Sequence, residues 1–418
     1  MDISIEPKSL TGEIDAISSK SHGHRILICA ALADKPTKII LEKSSIDIDT
    51  TISCLEELGA KIERNGINIT VNPVKKLKKV PNLNCMESGS TFRFMVPVSA
   101  ALYKEVSFTG EGRLPERPMT ELMEAMEKHG TEFTKEKLPF IVKNSFSGGV
   151  FELPGDVSSQ YISGLLLAAP LLDEDVEIKL TTKLESKNYV EMTIDAMKQF
   201  GVEVNRLGNG FLVKKGQKYT SSENITIEGD WSNAAFFLAA GAIGKEIKVR
   251  KLNMNSSQGD KEIVNILKNF GANVEVGDSY VKVSPGKLKG ITLDISEVPD
   301  SLPILSVVAS CAKGETNFIN ARRLRLKESD RLVTSRTMLE NLGGKAIEEE
   351  ESLTVIGVGD LNGGITESFN DHRLAMASTI ASIISKNKVL IKDAEAVNKS
   401  YPKFYEDFEI LGGQVNVI

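Results

Sequence analysis

The sequence predicts an α/β protein of two similar lobes, each built from three repeats of roughly 70 residues. Three observations carry this. Helix-like segments close on a glycine six times in phase, and small polar clusters open apolar helices six times on the same beat. At 418 residues the chain also exceeds what one hydrophobic core ordinarily organises.

Within each repeat the pattern reads as strand, helix, strand, second helix and hairpin. The leading strand runs into a small polar cluster and then an apolar helix. These clusters are SSKSHGHR from Ser18, ESGSTFRF from Glu87, GDVSSQYIS from Gly155, GDWSNAAFF from Gly229, VPDSLPIL from Val298 and FNDHRLAM from Phe369. The markers Lys20, Gly89, Ser159, Ser232, Ser301 and His372 lie about 70 residues apart. The second helix closes on Gly59, Gly130, Gly201, Gly271, Gly343 or Gly412, which recur every 69 to 72 residues. A helix often ends on a residue at positive φ, where glycine carries no Cβ to clash. An alternating hairpin follows, as in LEELGAKIERNGINITV from Leu55, and the last copy, FEILGGQVNVI from Phe408, runs to the end of the chain.

Six equal units divide most naturally as three plus three, with a break after the third hairpin, near Ile227 to Asp230. A continuous solenoid is the alternative, but its usual repeat is only about 20–50 residues. Composition sets the class. Apolar residues make up 41% and charged residues 26%, the balance of a globular protein rather than a disordered one. A net charge of -6 argues against a general nucleic-acid binder, which ordinarily carries a basic excess. The four cysteines, Cys29, Cys54, Cys85 and Cys311, show no CxxC spacing and read as reduced thiols. Met1-Asp2-Ile3-Ser4 opens no secretory pattern, and the apolar windows near Leu165 and Leu302 are too short to span a bilayer. The expectation is a cytoplasmic monomer that binds small molecules and neither nucleic acid nor membrane.

Helix N-termini offer unpaired N–H groups and about half a positive charge, so each cluster is a possible anion site. Cations reinforce them. Arg117, Lys187, Lys327 and Lys399 stand at the start of second helices, 70, 140 and 72 residues apart. The bland account makes the clusters ordinary N-caps and the cations a solvated face. Lys20, Ser21 and Arg25 join two cations and a hydroxyl, suited to a small acid. His22 and His24 invite a metal, but no further His or Cys cluster completes a site. Gly89 permits close approach to the backbone. Ser158, Ser159 and Gln160 offer hydroxyls and an amide, and Asp300 by default reads as a helix cap. Lys327-Glu328-Ser329-Asp330-Arg331, preceded by Arg322, Arg323 and Arg325, reads as a cationic clamp with an embedded acid, and Arg373 and Lys399 add to it.

These residues, in this order, resemble the enolpyruvyl transferase family over essentially the whole chain. The KESDR, NDHR and SSQ motifs and the Lys20–Arg25 opening together carry the likeness. The resemblance implies two lobes, each of three βαβαββ units around a pseudo-threefold axis. It also places the first strand in the C-terminal lobe, giving lobes of 13–228 and of 1–12 plus 229–418. It implies joining of phosphoenolpyruvate to the 5-hydroxyl of shikimate 3-phosphate with release of phosphate, as the lobes close, without metal or organic cofactor. Carried over, Lys20, Ser21, Arg25, Ser158, Ser159, Gln160, Ser186, Asp300, Arg323 and Lys327 would hold shikimate 3-phosphate. Lys20, Gly89, Arg117, Gln160, Arg331, Arg373 and Lys399 would hold phosphoenolpyruvate. Asp300 would accept the hydroxyl proton. Glu328 would protonate the methylene carbon, although Lys327 and Arg331 favour its ionised form, and Lys20 is the other candidate for that step.

The chain departs from the family pattern at three places. The opening reads ISSKSHGHR where PGSKS is common, Arg323 stands where Asn is frequent, and Phe94 replaces a frequent Pro. Two other functions are weighed. A sister enzyme acting on UDP-N-acetylglucosamine would carry a Cys before the position of Arg117, and Thr109 to Arg117 has none. A non-catalytic anion-binding protein on the same repeats would not need both Asp300 and Glu328.

Overall fold

A computed structural model describes residues 1–75 and 79–418. The chain forms two units, Ser18–Ile227 and Met1–Ile17 with Glu228–Ile418. Each has its own apolar core.

All six expected glycines adopt positive φ, between 78° and 110°, just past the second helix of each repeat. The polar clusters likewise open helices at Lys20–Ala31, Gly89–Leu102, Ser159–Ala168, Trp231–Ile243, Leu302–Cys311 and His372–Ala381. These six are buried on nearly every side, as helices apolar all round must be. Five begin at a side-chain cap, namely Ser19, Ser88, Ser158, Asp230 and Asp371. Leu302–Cys311 instead follows the 3-10 turn Pro299–Ser301, which contains Asp300, and has no side-chain cap.

Among the described residues, six four-stranded sheets share one plan. In the sheet Asn82–Asn84, Glu105–Thr109, Phe140–Lys143 and Glu132–Phe133, the first pair is parallel and the others antiparallel. Sequence order departs from this plan at two places. Gly12–Asp15, the strand leading into Lys20–Ala31, pairs in parallel with Ile247–Arg250, and Asn224–Thr226, which leads into Trp231–Ile243, pairs with Thr37–Ile40. The first and fourth repeats thus exchange leading strands. The expected boundaries at 12/13 and 228/229 move accordingly to 17/18 and 227/228. Ladder contacts cause the shift, with Ala16 N–H bonding Arg250 C=O and Asp230 N–H bonding Ile17 C=O. The sixth repeat ends after one hairpin strand, Val415–Val417, and Ile3–Ile5 inserts between it and Val389–Lys392.

One helix contact sets up part of the site. Pro97 lies inside Gly89–Leu102 and has no N–H for the carbonyl of Arg93. Gly164 packs against that carbonyl so closely that a Cβ would sit 2.4 Å from it. The approach brings Gln160, one turn earlier on Ser159–Ala168, alongside Arg93.

Ile3 and Ile5 are fully buried. Replacing both by Asp is expected to cost at least about 3 kcal/mol in the Glu228–Ile418 unit alone. Hydrogen exchange should show Val389–Lys392 and Val415–Val417 losing protection while Ser18–Ile227 keeps its own. Equal loss in both units would contradict this account of the sixth sheet.

Candidate functional site

In the Ser18–Ile227 unit, Lys20 opens its helix and its ammonium lies 3.0 Å from Asp47. A cation at a helix N-terminus opposes the helix dipole, so a carboxylate partner offsets both. Arg25, one turn on, is 2% exposed. Its Nε donates to Thr193 Oγ1 at 2.7 Å, Nη1 to Ser21 C=O at 2.7 Å and Nη2 to Tyr189 C=O at 3.0 Å. Its guanidinium lies over the Phe94 ring, 4.9 Å from the centroid. Burial lowers its pKa to about 10, only partly offset by Tyr189 and Cys29.

Gly89 lies directly beneath Arg117, and a Cβ there would stand 2.5 Å from Nη1. Arg93 donates to Gln160 Oε1 at 2.8 Å, and Gln160 Nε2 donates to Ser90 Oγ at 2.8 Å. The amide orientation of Gln160 is thereby fixed from both ends. Ser158 caps its helix by accepting from Gln160 N–H. Ser159 is buried, and Ser186 holds a left-handed φ of 53° ahead of Lys187–Gln199.

The Glu228–Ile418 unit gathers the clamp around Arg331, which is 1% exposed. Its Nε donates to Asp371 Oδ2 at 2.8 Å, Nη1 to Asp300 Oδ1 at 2.6 Å and Nη2 to Glu328 Oε2 at 2.9 Å. Burial opposes its charge, but Asp371, Asp300 and Glu328 hold the guanidinium more strongly protonated than usual. Arg373 donates through Nη2 to Ser232 Oγ at 2.6 Å and lies 3.4 Å from Asp300 Oδ2. Lys327 lies 3.4 Å from Asp300 Oδ1. Burial pulls its ammonium below the usual lysine range despite Asp300, and Arg331 and Arg323 press the same way. For Asp300, burial favours the neutral form, but Lys327, Arg331 and Arg373 overcome it and hold the carboxyl well below its usual range. Lys399 donates to Asn370 at its carbonyl, 2.8 Å, and Oδ1, 2.7 Å.

Two readings of the sequence change. Asp300 is no helix cap; its carboxylate meets cations 27, 31 and 73 positions away. The in-phase cations do not all open second helices either. Lys187 does, whereas Arg117, Lys327 and Lys399 end or follow the 3-10 turns Leu114–Glu116, Arg322–Leu326 and Ala394–Lys399. His24 lies wholly in the core, with Nδ1 2.7 Å from Thr51 Oγ1. The sequence reading gave no role to Arg93, Ser232 and Asp371, although all three lie inside the clusters it marked, and it missed Asp47 altogether. The repeat beat was the available signal for the first three; Asp47 had none.

Repeats of this topology, with cations placed ahead of second helices, are those of the enolpyruvyl transferase fold. A family model described as EPSP synthase (3-phosphoshikimate 1-carboxyvinyltransferase) matches residues 5–408. The chain is 42% identical over 418 residues to a 3-phosphoshikimate 1-carboxyvinyltransferase of Clostridium kluyveri, covering 99% of this chain and 98% of the relative. The counterpart of Clostridium novyi is 41% identical over 427 residues, with coverage of 99% and 98%. Among solved structures, EPSP synthase from Acinetobacter baumannii superposes with a TM-score of 0.83 at 25% identity over 100% of both chains. The enolpyruvyl transferase NikO from Streptomyces tendae gives 0.81 at 14% identity over 99% of this chain and 98% of its own, a likeness of fold alone. The chain belongs to the EPSP synthase family.

The depressed pKa of Asp300 has a stability consequence of definite sign. A carboxyl ionised more readily in the folded state contributes stability that is complete above its unfolded pKa, about 3.9. That contribution is lost as pH falls through the lower folded value. The stability gap between the native protein and Asp300→Asn should therefore be flat from pH 8 to 5 and narrow below about pH 4. Urea titrations across that range check it, and a gap that widens in acid would contradict it.

Proposed function

We propose that the protein transfers the enolpyruvyl group of phosphoenolpyruvate to the 5-hydroxyl of shikimate 3-phosphate, releasing phosphate, on the shikimate route to chorismate and the aromatic amino acids. Membership of the EPSP synthase family supports the reaction. The single observation that supports its residues is the grouping of Asp300, Glu328, Lys327 and Arg373 about the buried Arg331. The protein is taken to act in the cytoplasm as a monomer on these two small molecules, with no cofactor. Among the described residues no helix is long and apolar enough to cross a membrane.

Phosphoenolpyruvate carries a carboxylate and a phosphate and leaves water only for several fixed cations. Lys20, Arg117, Arg331, Arg373 and Lys399 are proposed to supply them, with Gly89 and Gln160. Shikimate 3-phosphate would be held by Lys20, Ser21, Arg25, Ser158, Ser159, Gln160, Ser186, Asp300, Arg323 and Lys327. The hydroxyl oxygen then attacks C2 of the enolpyruvyl group, its proton passes to Asp300, and C3 receives a proton. Loss of phosphate and of one C3 proton restores the double bond.

Asp300 stays ionised because three cations face it, so it is ready to accept a proton but is a weak base. An arriving anion that neutralises Arg331 and Arg373 raises its basicity at the moment it is needed. Glu328 is proposed as the donor to C3. Its 2.9 Å contact with Arg331 favours the carboxylate, which supports Lys20 as the second candidate.

The functional reading is tested by phosphate release from the two substrates together, with neither alone giving product; no release would end it. In the same assay Gly89→Ala should raise the KM for phosphoenolpyruvate at least about tenfold, since its Cβ overlaps the position of Arg117. The KM for shikimate 3-phosphate should change little. An unchanged KM for phosphoenolpyruvate would remove Arg117 from that site.

A further inference from the structure

Arg25 and Arg331 are both buried guanidinium groups, yet their surroundings differ in kind. Arg331 is ringed by three carboxylates. Among the described residues Arg25 meets no carboxylate; its partners are one hydroxyl, two backbone carbonyls and an aromatic face. A buried cation left to neutral dipoles is costly unless something else supplies negative potential. The Phe94 ring is what the fold supplies. Its centroid lies 4.9 Å from Arg25 Cζ, within the range of a cation–π contact, and the ring is fully buried.

Phe94 is itself held in place. It lies on Gly89–Leu102, and the ring of His24 makes a T-shaped contact with it at 82°, with centroids 6.5 Å apart. Burial, then Lys20 and Arg25, hold His24 well below its usual pKa, so it adds no competing positive charge. Consecutive side chains of one helix thus address one ring, His24 in a T-shaped contact and Arg25 across its face. Of the five N–H groups of Arg25, three are engaged within the protein. One hydrogen on each terminal nitrogen has no partner among the described residues, and each can donate to a carboxylate or phosphate oxygen.

We propose that Phe94 is a positioning residue for substrate binding. Its π face takes the place of a counter-ion, so that these two Arg25 hydrogens remain available to an acidic group of shikimate 3-phosphate. A carboxylate in its place would compete for them. An aliphatic side chain would fill the volume but leave the cation without negative potential.

The proposal rests on the function assigned above, and the test separates the two. Phe94 is replaced in the full chain by phenylalanine carrying one, two or three ring fluorines, which keep its shape and progressively remove the negative potential of its face. Phe94→Leu is made beside them. The KM for shikimate 3-phosphate should climb stepwise with fluorination, reaching about three- to tenfold, and Phe94→Leu should match or exceed the last step. The kcat and the KM for phosphoenolpyruvate should stay within about twofold, a split that mere loosening of the fold would not produce. If Phe94→Leu fails to fold, the fluorinated series still decides. Normal turnover with a flat or falling series overturns the role of Phe94 alone. No phosphate release by the unsubstituted protein overturns the functional reading and this proposal with it.

Discussion

A guanidinium at the first position of a helix, closed off from water, is poorly placed on two counts. Arg331 opens Arg331–Asn341, where the helix dipole is positive, and it is 1% exposed. Neither penalty is tolerable without negative charge close by. Asp371 supplies it from within the core, and Asp300 and Glu328 supply it from positions that remain about one-fifth exposed. Asp371 also caps His372–Ala381 and accepts from Ser329 Oγ at 3.0 Å. One buried carboxylate thereby joins two repeats, and the remaining clamp residues are arranged around the cation it holds.

The same logic runs through the other helix starts. Lys20 sits at a helix N-terminus with Asp47 opposite, and Arg373 stands at the second helical position after Asp371. Positive side chains set on positive helix ends need negative partners close by, and here Asp47, Asp300, Glu328 and Asp371 provide them. The protein's own carboxylates moderate that charge in the Glu228–Ile418 unit. Around Arg25 in the Ser18–Ile227 unit, hydroxyl, carbonyl and aromatic groups do so instead. The two units thus hold their buried cations in different ways, one with carboxylates and the other, around Arg25, with neutral dipoles.

Much of this was legible in the sequence wherever the cause is local. A helix end that needs positive φ writes a glycine, so six glycines announced six repeats. A helix buried all round writes a polar start followed by an apolar run. The exchange of Gly12–Asp15 and Asn224–Thr226 between repeats left no trace, because either strand has the same local pattern whichever sheet it joins. Asp300 reads as a cap for the same reason: Val-Pro-Asp-Ser is a good helix start, and its real partners lie far along the chain. The cations at Arg117, Lys327 and Lys399 were found by phase, but the 3-10 turns that carry them shift them off the helix start. Phe94 registered only as a departure from the family pattern, since its contact with Arg25 requires two helices to meet.

The most direct test compares the buried and the accessible partners of Arg331. In urea unfolding of the Glu228–Ile418 unit near neutral pH, Asp371→Asn should cost about 3–5 kcal/mol, because it strands a buried charge. Glu328→Gln should cost no more than about 1 kcal/mol, because water reaches its side. Similar, small losses in both variants would contradict the dependence of the clamp on Asp371.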